Sequence, residues 1–189
     1  MAKVQDVARF FIDLAQKQAS HDQGDLMTNL RLQKLLYFAQ GWHIARTGKP
    51  LFDDEMRKWK LGPVVPSIYH AYKANGNSGI AYPIELAEDA FCEDEMKVLL
   101  DVAREYSVFS TSKLVDMSHS SDGPWAHTYD DAIISKDSIK EYFLKQPPLR
   151  TFDDMLSKIE TIKPSCIDDG IAVFPSDLDD GWGDDDADV

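Results

Sequence analysis

The sequence predicts a mainly α protein. The expected architecture is a compact helical domain around a central apolar helix at about residues 29–46, with a small two- to three-stranded β element and an acidic C-terminal tail. Three observations predict it. Residues 29–46 place apolar side chains on nearly every side of a helical projection, and a helix with no polar face to give to water belongs at the centre of a packed domain. Six further segments repeat apolar residues at helical spacing, several of them behind capping residues. The charge is also divided unevenly. Residues 1–145 carry 21 acids and 17 bases, whereas residues 146–189 carry 12 acids and 3 bases, so most of the net −13 sits in the last quarter.

The first helix spans roughly Lys3 to Ala19, with Val4, Val7, Ala8, Phe11, Ala15 and Gln18 in phase and Leu14 widening the stripe. His21 to Met27 is a polar connection containing Gly24. Thr28, with Asn29 as the alternative, caps the central helix. In that helix Leu32, Leu35, Leu36, Ala39 and His43 share one face, while Leu30, Tyr37, Phe38 and Trp42 cover much of the rest. Gly48 and Pro50 end it as a left-handed residue followed by proline. Leu51 to Lys60 fits either a helix or a short strand. The partial alternation over residues 55–60 favours the strand. Gly62-Pro63 reads as a turn, and Pro66 opens a helix to about Ala74 that shows Ile68, Tyr69, Ala71 and Tyr72.

Residues 77–91 read as loop. Glu93, Asp94 and Glu95 suit the positive end of the next helix, whose expected stripe is Met96, Leu99, Leu100, Val102, Ala103 and Tyr106. Ser110 caps a shorter helix from Thr111 to His119, with Leu114, Val115 and Ser118 on one side. A loop around Gly123-Pro124-Trp125 follows. Ile133-Ile134-Ser135 is placed to pair with residues 55–60 as a ribbon. Asp137 or Ser138 caps a last helix through Lys145, buried on Ile139, Tyr142 and Phe143. Pro147-Pro148 then divides a helical domain, residues 1–145, from an acidic extension, residues 146–189, expected to be partly disordered when free. Within it, Phe152, Met155, Leu156 and Ile159 would line a short amphipathic helix over 151–163. From Pro164 the chain reads as a disordered, aspartate-rich tail.

The chemistry-bearing residues are sparse. Cys92 and Cys166 are far apart and fit no metal spacing, as expected of reduced thiols in a cytoplasmic protein. The N-terminus lacks the layout of a signal peptide, because Asp6, Arg9 and Asp13 interrupt its apolar runs, and no stretch is long enough to span a membrane. The expectation is a soluble, cytoplasmic protein. The cluster Arg57, Lys58, Lys60 is too small a positive footprint for direct nucleic-acid binding. His43 reads as a satisfied core histidine. His119 and His127, eight residues apart, are too few ligands for a metal site, and no cofactor motif occurs. The run Ser118-His119-Ser120-Ser121-Asp122 contains triad residue types, but triads are spatial, and a turn-rich loop explains the run better. No GxSxG or phosphate loop is present. No catalytic residue is assigned, and the chain is read as a binding protein.

What remains is aromatic. Trp59, the GPVVP elbow, Tyr69 and Tyr72 form a stiff aromatic segment, and Trp125 follows a Gly-Pro turn. Aromatic side chains on fixed backbone make interface anchors at low entropic cost, although Trp59 and Trp125 also suit core packing. The candidate partner-binding residues are therefore Trp59, Pro63, Val64, Pro66, Tyr69, His70, Tyr72, His119, Trp125 and, in the tail, Trp182. The tail suits three roles: inert solubilising chain, docking element, or decoy for a basic partner.

Leu32 to Ala45, Gly48 to Phe52, Glu55, Trp59-Lys60 and Gly62 to Lys73 carry a pattern that resembles the Panacea domain family, known from SocA-type antitoxins and phage-associated proteins. Leu61 stands where that pattern often has an aromatic, and Met56 where it is usually aliphatic. His119, Trp125 and Tyr129, then Ile133-Ile134 and residues 139–143, also resemble it, so the likeness covers about residues 3–145 and leaves out the tail. The resemblance implies an antitoxin that neutralises a cognate toxin protein by direct binding, or that also delivers it to a cytoplasmic protease. The alternatives are a phage or prophage accessory protein whose acidic tail binds a basic host factor and, less favoured, a hydrolase using His119, Asp122 and His127.

Overall fold

Helix α2, Asn29–Thr47, is the axis on which the other elements are placed. Thr28 caps it, its hydroxyl accepting from the Arg31 N–H, and Gly48 ends it in the left-handed conformation at φ 73°. Fourteen of its nineteen residues are buried, which is what its lack of a polar face requires. The structure, a computed structural model, describes residues 1–21, 25–87, 89–150, 166–168 and 171–173. Two compact units divide at Arg150.

In the first unit, helices α1 (Val4–Ala19), α4 (Glu93–Ser107), α5 (Thr111–Ser118) and α6 (Lys136–Leu144) pack round α2. α3 (Pro66–Ala71) follows the elbow. The core joins Phe11 and Ile12 of α1 to Leu32, Leu36, Tyr37 and Phe38 of α2, and these to Leu99, Leu114, Ile139 and Phe143. Phe38 stacks on Tyr106 at 4.1 Å, and Phe143 meets Tyr37, Phe38 and Trp42 edge-on. Gly41 is required on α2 because a Cβ there would overlap the Phe143 ring.

Strands β1 (Arg57–Trp59) and β2 (Gly62–Val64) pair antiparallel, with Trp59 opposite Gly62. On the other side of β1, Lys58 N–H donates to Ala132 O at 3.0 Å and Ile134 N–H to Met56 O at 2.8 Å. The expected pairing of residues 133–135 with 55–60 is therefore present, as a third short run added to a hairpin. In the second unit, β3 (Cys166–Asp168) pairs antiparallel with β4 (Ile171–Val173).

Several expectations need correcting. Gly62-Pro63 does not form the turn. Lys60-Leu61 turns, and Gly62 uses its positive φ of 105° inside the strand to let the backbone approach α2. The helix from Pro66 ends at Ala71 and continues as a single 3₁₀ turn, Lys73–Asn75. The last helix is capped by Ser135, whose hydroxyl accepts from Ser138 N–H at 3.0 Å, because Ser135 and not Asp137 or Ser138 has extended backbone. Leu100 is half-exposed. The buried stripe of α4 runs through Val98, Leu99, Val102 and Tyr106 and takes in Glu95 and Asp101. Those acids are tolerated there because the Met1 ammonium and Arg46 reach them at 3.0 Å and 2.7 Å. Packing also continues past Pro147-Pro148, since Leu149 joins the core. Beyond Pro164, residues 166–168 and 171–173 form the β3–β4 pair. The helix expected over 151–163 and Trp182 lie outside the described residues.

Candidate functional site

Residues 49–69 run across α2 with little regular structure, so their backbone groups need partners from elsewhere. α2 supplies them from its own buried polar side chains. Asn29 Nδ2 donates to Tyr69 O at 3.0 Å, and Gln33 Oε1 accepts from Val65 N–H at 2.9 Å. Lys34 Nζ donates to Pro63 O at 3.1 Å. Gln40 Oε1 accepts from Leu51 N–H and Phe52 N–H at 2.8 and 3.2 Å, and its Nε2 donates to Phe52 O at 3.0 Å. His43 Nδ1 lies 2.8 Å from Lys49 O, so Nδ1 carries the proton, since a carbonyl only accepts. Asn29, Gln33, Gln40 and His43 fall on one stripe of the helix. That stripe is a template that fixes the path of the GPVVP elbow.

The elbow delivers an aromatic group to the surface. Trp59 meets Tyr69 edge-on at 4.9 Å and His70 at 6.3 Å, and its indole N–H donates to Asp131 Oδ1 at 3.1 Å. Asp131 holds a left-handed φ of 56°, which an aspartate tolerates. The 119–131 loop closes over the ribbon from the other side. Trp125 Nε1 donates to Trp59 O at 2.9 Å. The Trp125 ring lies 3.9 Å from the His119 ring, and the Lys58 ammonium sits 4.5 Å from its centroid. Lys58 also donates to Thr128 O at 2.8 Å and pairs with Asp130 at 3.5 Å. Lys58, Trp59, Lys60, Trp125, Asp130 and Asp131 line a shallow open notch.

The structure thus brings Trp59, Tyr69, His70, His119 and Trp125 into one neighbourhood. Pro66 and Tyr72 are half-buried on α3 and its end, Tyr72 stacking on Tyr82 at 6.4 Å. Pro63 and Val64 are buried, so they shape the elbow from beneath and offer no side chain to a partner. Three further apolar residues are exposed: Leu61 and Tyr129, within the elbow and the 119–129 loop expected to carry the contact but not singled out there, and Ile133, which sequence reasoning did not place at the site. Leu61 had a signal, since it stands at a position where the resembling pattern carries an aromatic.

Sequence reasoning also overlooked Lys34, the most unusual group near the site. It is fully buried, and burial pushes its ammonium down to about 7. Gly62 lies over it: a Cβ there would overlap Lys34 Nζ and come within 2.6 Å of Ser118 Oγ. Lysine and serine side by side suggest a hydrolytic dyad. Both are sealed beneath the Gly62 backbone, and Ser118 spends its hydroxyl on Val115 O at 2.8 Å, so no substrate carbonyl reaches either. Burial, and secondarily Lys34, lowers His119 below its ordinary range, and His119 Nε2 is sealed with no hydrogen-bond partner among the described residues. His127 Nδ1 bonds Gly123 O at 3.0 Å and Asp122 accepts from Ser120, so no hydrogen bond among the described residues links His119, Asp122 and His127. No group of three or more His, Cys, Asp or Glu among the described residues is arranged to hold a metal ion. No described helix is long and apolar enough to cross a membrane.

A central helix thus templates an irregular aromatic elbow. Residues 32–126 match the family described as antitoxin SocA-like, Panacea domain, and the chain belongs to that family. The matched stretch contains most of α2, the elbow, α4, α5 and Trp125. The chain is 36% identical over 113 residues to the antitoxin SocA of Caulobacter vibrioides, an alignment covering 52% of this chain and 58% of the relative. It therefore spans less than two thirds of that relative's length. No solved structure matches.

Proposed function

We propose that this protein is the antitoxin of a toxin–antitoxin pair, acting in the cytoplasm by binding its cognate toxin protein. Membership of the SocA-like family and the likeness to a named antitoxin support the role. The observation that carries the binding reading is the template. Six hydrogen bonds from Asn29, Gln33, Lys34 and Gln40 hold the backbone between Leu51 and Tyr69. An interface segment fixed before binding loses less conformational entropy when it binds. Trp59, Tyr69 and His70, with Leu61, Tyr129 and Ile133, form the proposed contact surface. In this reading residues 1–145 are the binding domain, and residues 146–189 form an extension that adjusts the surface to one particular toxin.

The test is co-expression with the protein encoded by the adjacent reading frame, followed by co-purification. Growth rescue with co-elution supports the reading. Rescue that persists when Trp59 and Leu61 are both replaced by alanine, in a chain that remains folded, moves the contact away from the elbow. Delivery to a protease is the further step within the same reading. It predicts that toxin half-life shortens in cells with the antitoxin and returns to normal in a protease-deficient strain, whereas blocking alone leaves the half-life unchanged.

A further inference from the structure

The neighbourhood of Lys34 combines three features that its structural role does not require. Its Nζ has one hydrogen bond among the described residues, to Pro63 O, although an ammonium carries three donors. It has no ion pair among the described residues, and Gly62 and Ser118 pack directly against it. His119, whose ring supports Trp125, feels the charge of Lys34, and its Nε2 is sealed with no hydrogen-bond partner among the described residues. Besides Lys34 of α2, the charged groups acting on His119 come from two elements: Lys58 from β1 and Asp116 from α5. Asp130 from the following loop is engaged with Lys58.

We propose that Lys34 and His119 form a proton-operated latch between the elbow and the 119–125 loop: unprotonated, they hold Trp125 against Trp59, and proton uptake below neutrality loosens that contact. The energetic cause is desolvation. A proton on Lys34 creates a buried charge with one acceptor, and a proton on His119 places a second charge beside it. The cheapest relief is to let water in. Lys34 is covered by Gly62 and by Ser118, the residue before His119. The Gly62 side is tied to α2 by Asn29, Gln33 and Gln40, which leaves the Ser118 side, where the chain runs on through His119 into the loop carrying Trp125. Lys34 is pushed down to about 7 and His119 below its ordinary value, so both protonation steps fall at or below neutral pH. The latch regulates the surface assigned above to the toxin and rests on that assignment. Its test uses the protein alone, so its failure leaves the binding reading standing.

The readout is hydrogen exchange at the indole N–H groups, followed by NMR between pH 8 and 5.5 and corrected for the intrinsic pH dependence. Trp125 Nε1 donates to Trp59 O at the latch, and Trp42 Nε1 donates to Tyr106 Oη in the core at 2.9 Å, an internal control. The latch predicts that Trp125 loses protection about tenfold or more as the pH falls, the change that one unit of linked pKa shift produces, while Trp42 does not. Lys34→Met should keep Trp125 protected throughout, and His119→Gln should reduce the fall. Parallel behaviour of Trp125 and Trp42 in the parent protein overturns the proposal without any variant. A Lys34→Met protein whose Trp125 opens with falling pH as the parent's does overturns it as well.

Discussion

Replacing Lys34 by methionine should stabilise this protein at neutral and acid pH and should cease to do so in base. Methionine keeps the apolar stem and removes the ammonium. The magnitude follows from the drop from 10.5 to about 7 that burial imposes. Between those values the unfolded chain holds a proton on Lys34 that the folded chain does not, so stability rises with pH across that window. At and below pH 7 the full displacement applies. At 1.36 kcal/mol per unit it costs the native state about 4–5 kcal/mol, an upper bound because local opening relieves part of it. By pH 10 the same arithmetic leaves about 1 kcal/mol. Against this, methionine leaves Pro63 O without its donor, a loss of about 1–3 kcal/mol. The expected net effect is a gain of about 2–3 kcal/mol at pH 6, shrinking to nothing or a small loss at pH 9.5. Urea unfolding followed by tryptophan fluorescence, at half-unit steps from pH 6 to 9.5, measures it. Burial pushes Tyr106 up to about 12, so the core partner of the Trp42 indole stays protonated across this range. A Lys34→Met protein that is no more stable than its parent at pH 6 refutes the reasoning. So does a difference between the two that stays constant with pH.

Three further outcomes are expected. Gly62→Ala should cost about 3 kcal/mol or more and lower Tm in a thermal melt, because φ 105° disfavours any Cβ and the added atom overlaps Lys34 Nζ. Gln40→Leu should cost about 2–5 kcal/mol in denaturant unfolding, because the N–H groups of Leu51 and Phe52 lose their acceptor where water does not reach. Tyr106→Phe should cost about 1–3 kcal/mol by removing the acceptor of the buried Trp42 indole N–H; a melt unchanged from the parent's would show that the indole finds another partner.

Much of the scaffold was legible in the sequence because its signals are local or periodic. Thr28, Gly48 and Ser110 act where their chemistry places them, since a cap involves only the next turn of chain. The central position of α2 follows from its apolar surround. The misplaced features share a cause, which is dependence on a second element. Leu100 fits a helical stripe as well as Val98 does, and only the placement of the neighbouring elements decides between them. Asp101 is buried because Arg46 and Arg104 meet it, and no pattern within α4 announces that. Gly62-Pro63 is a fair turn signal, yet the glycine is needed for close approach to Lys34. Trp59, Tyr69, His70 and Trp125 were visible as an aromatic set, but their mutual geometry is fixed by hydrogen bonds across about 66–72 residues of sequence.

The polar stripe of α2 shows what a sequence reader can still extract. Asn29, Gln33, Gln40 and His43 recur along one line of a helix that is otherwise largely apolar. Here the stripe is buried, and its groups face the backbone of the elbow instead of water. Length and shape separate the two cases. A solvent face favours long charged side chains, whereas this stripe is made of amides and an imidazole, which both donate and accept within a short reach. Amides matched to backbone groups fix a path residue by residue, since each lost pairing strands a buried donor or acceptor. An irregular segment held in this way can vary its outward side chains, as at Leu61, without losing its course, because the hydrogen bonds are made by main-chain atoms. A binding surface that must be adapted to different partners is well served by that separation between what is held and what is shown.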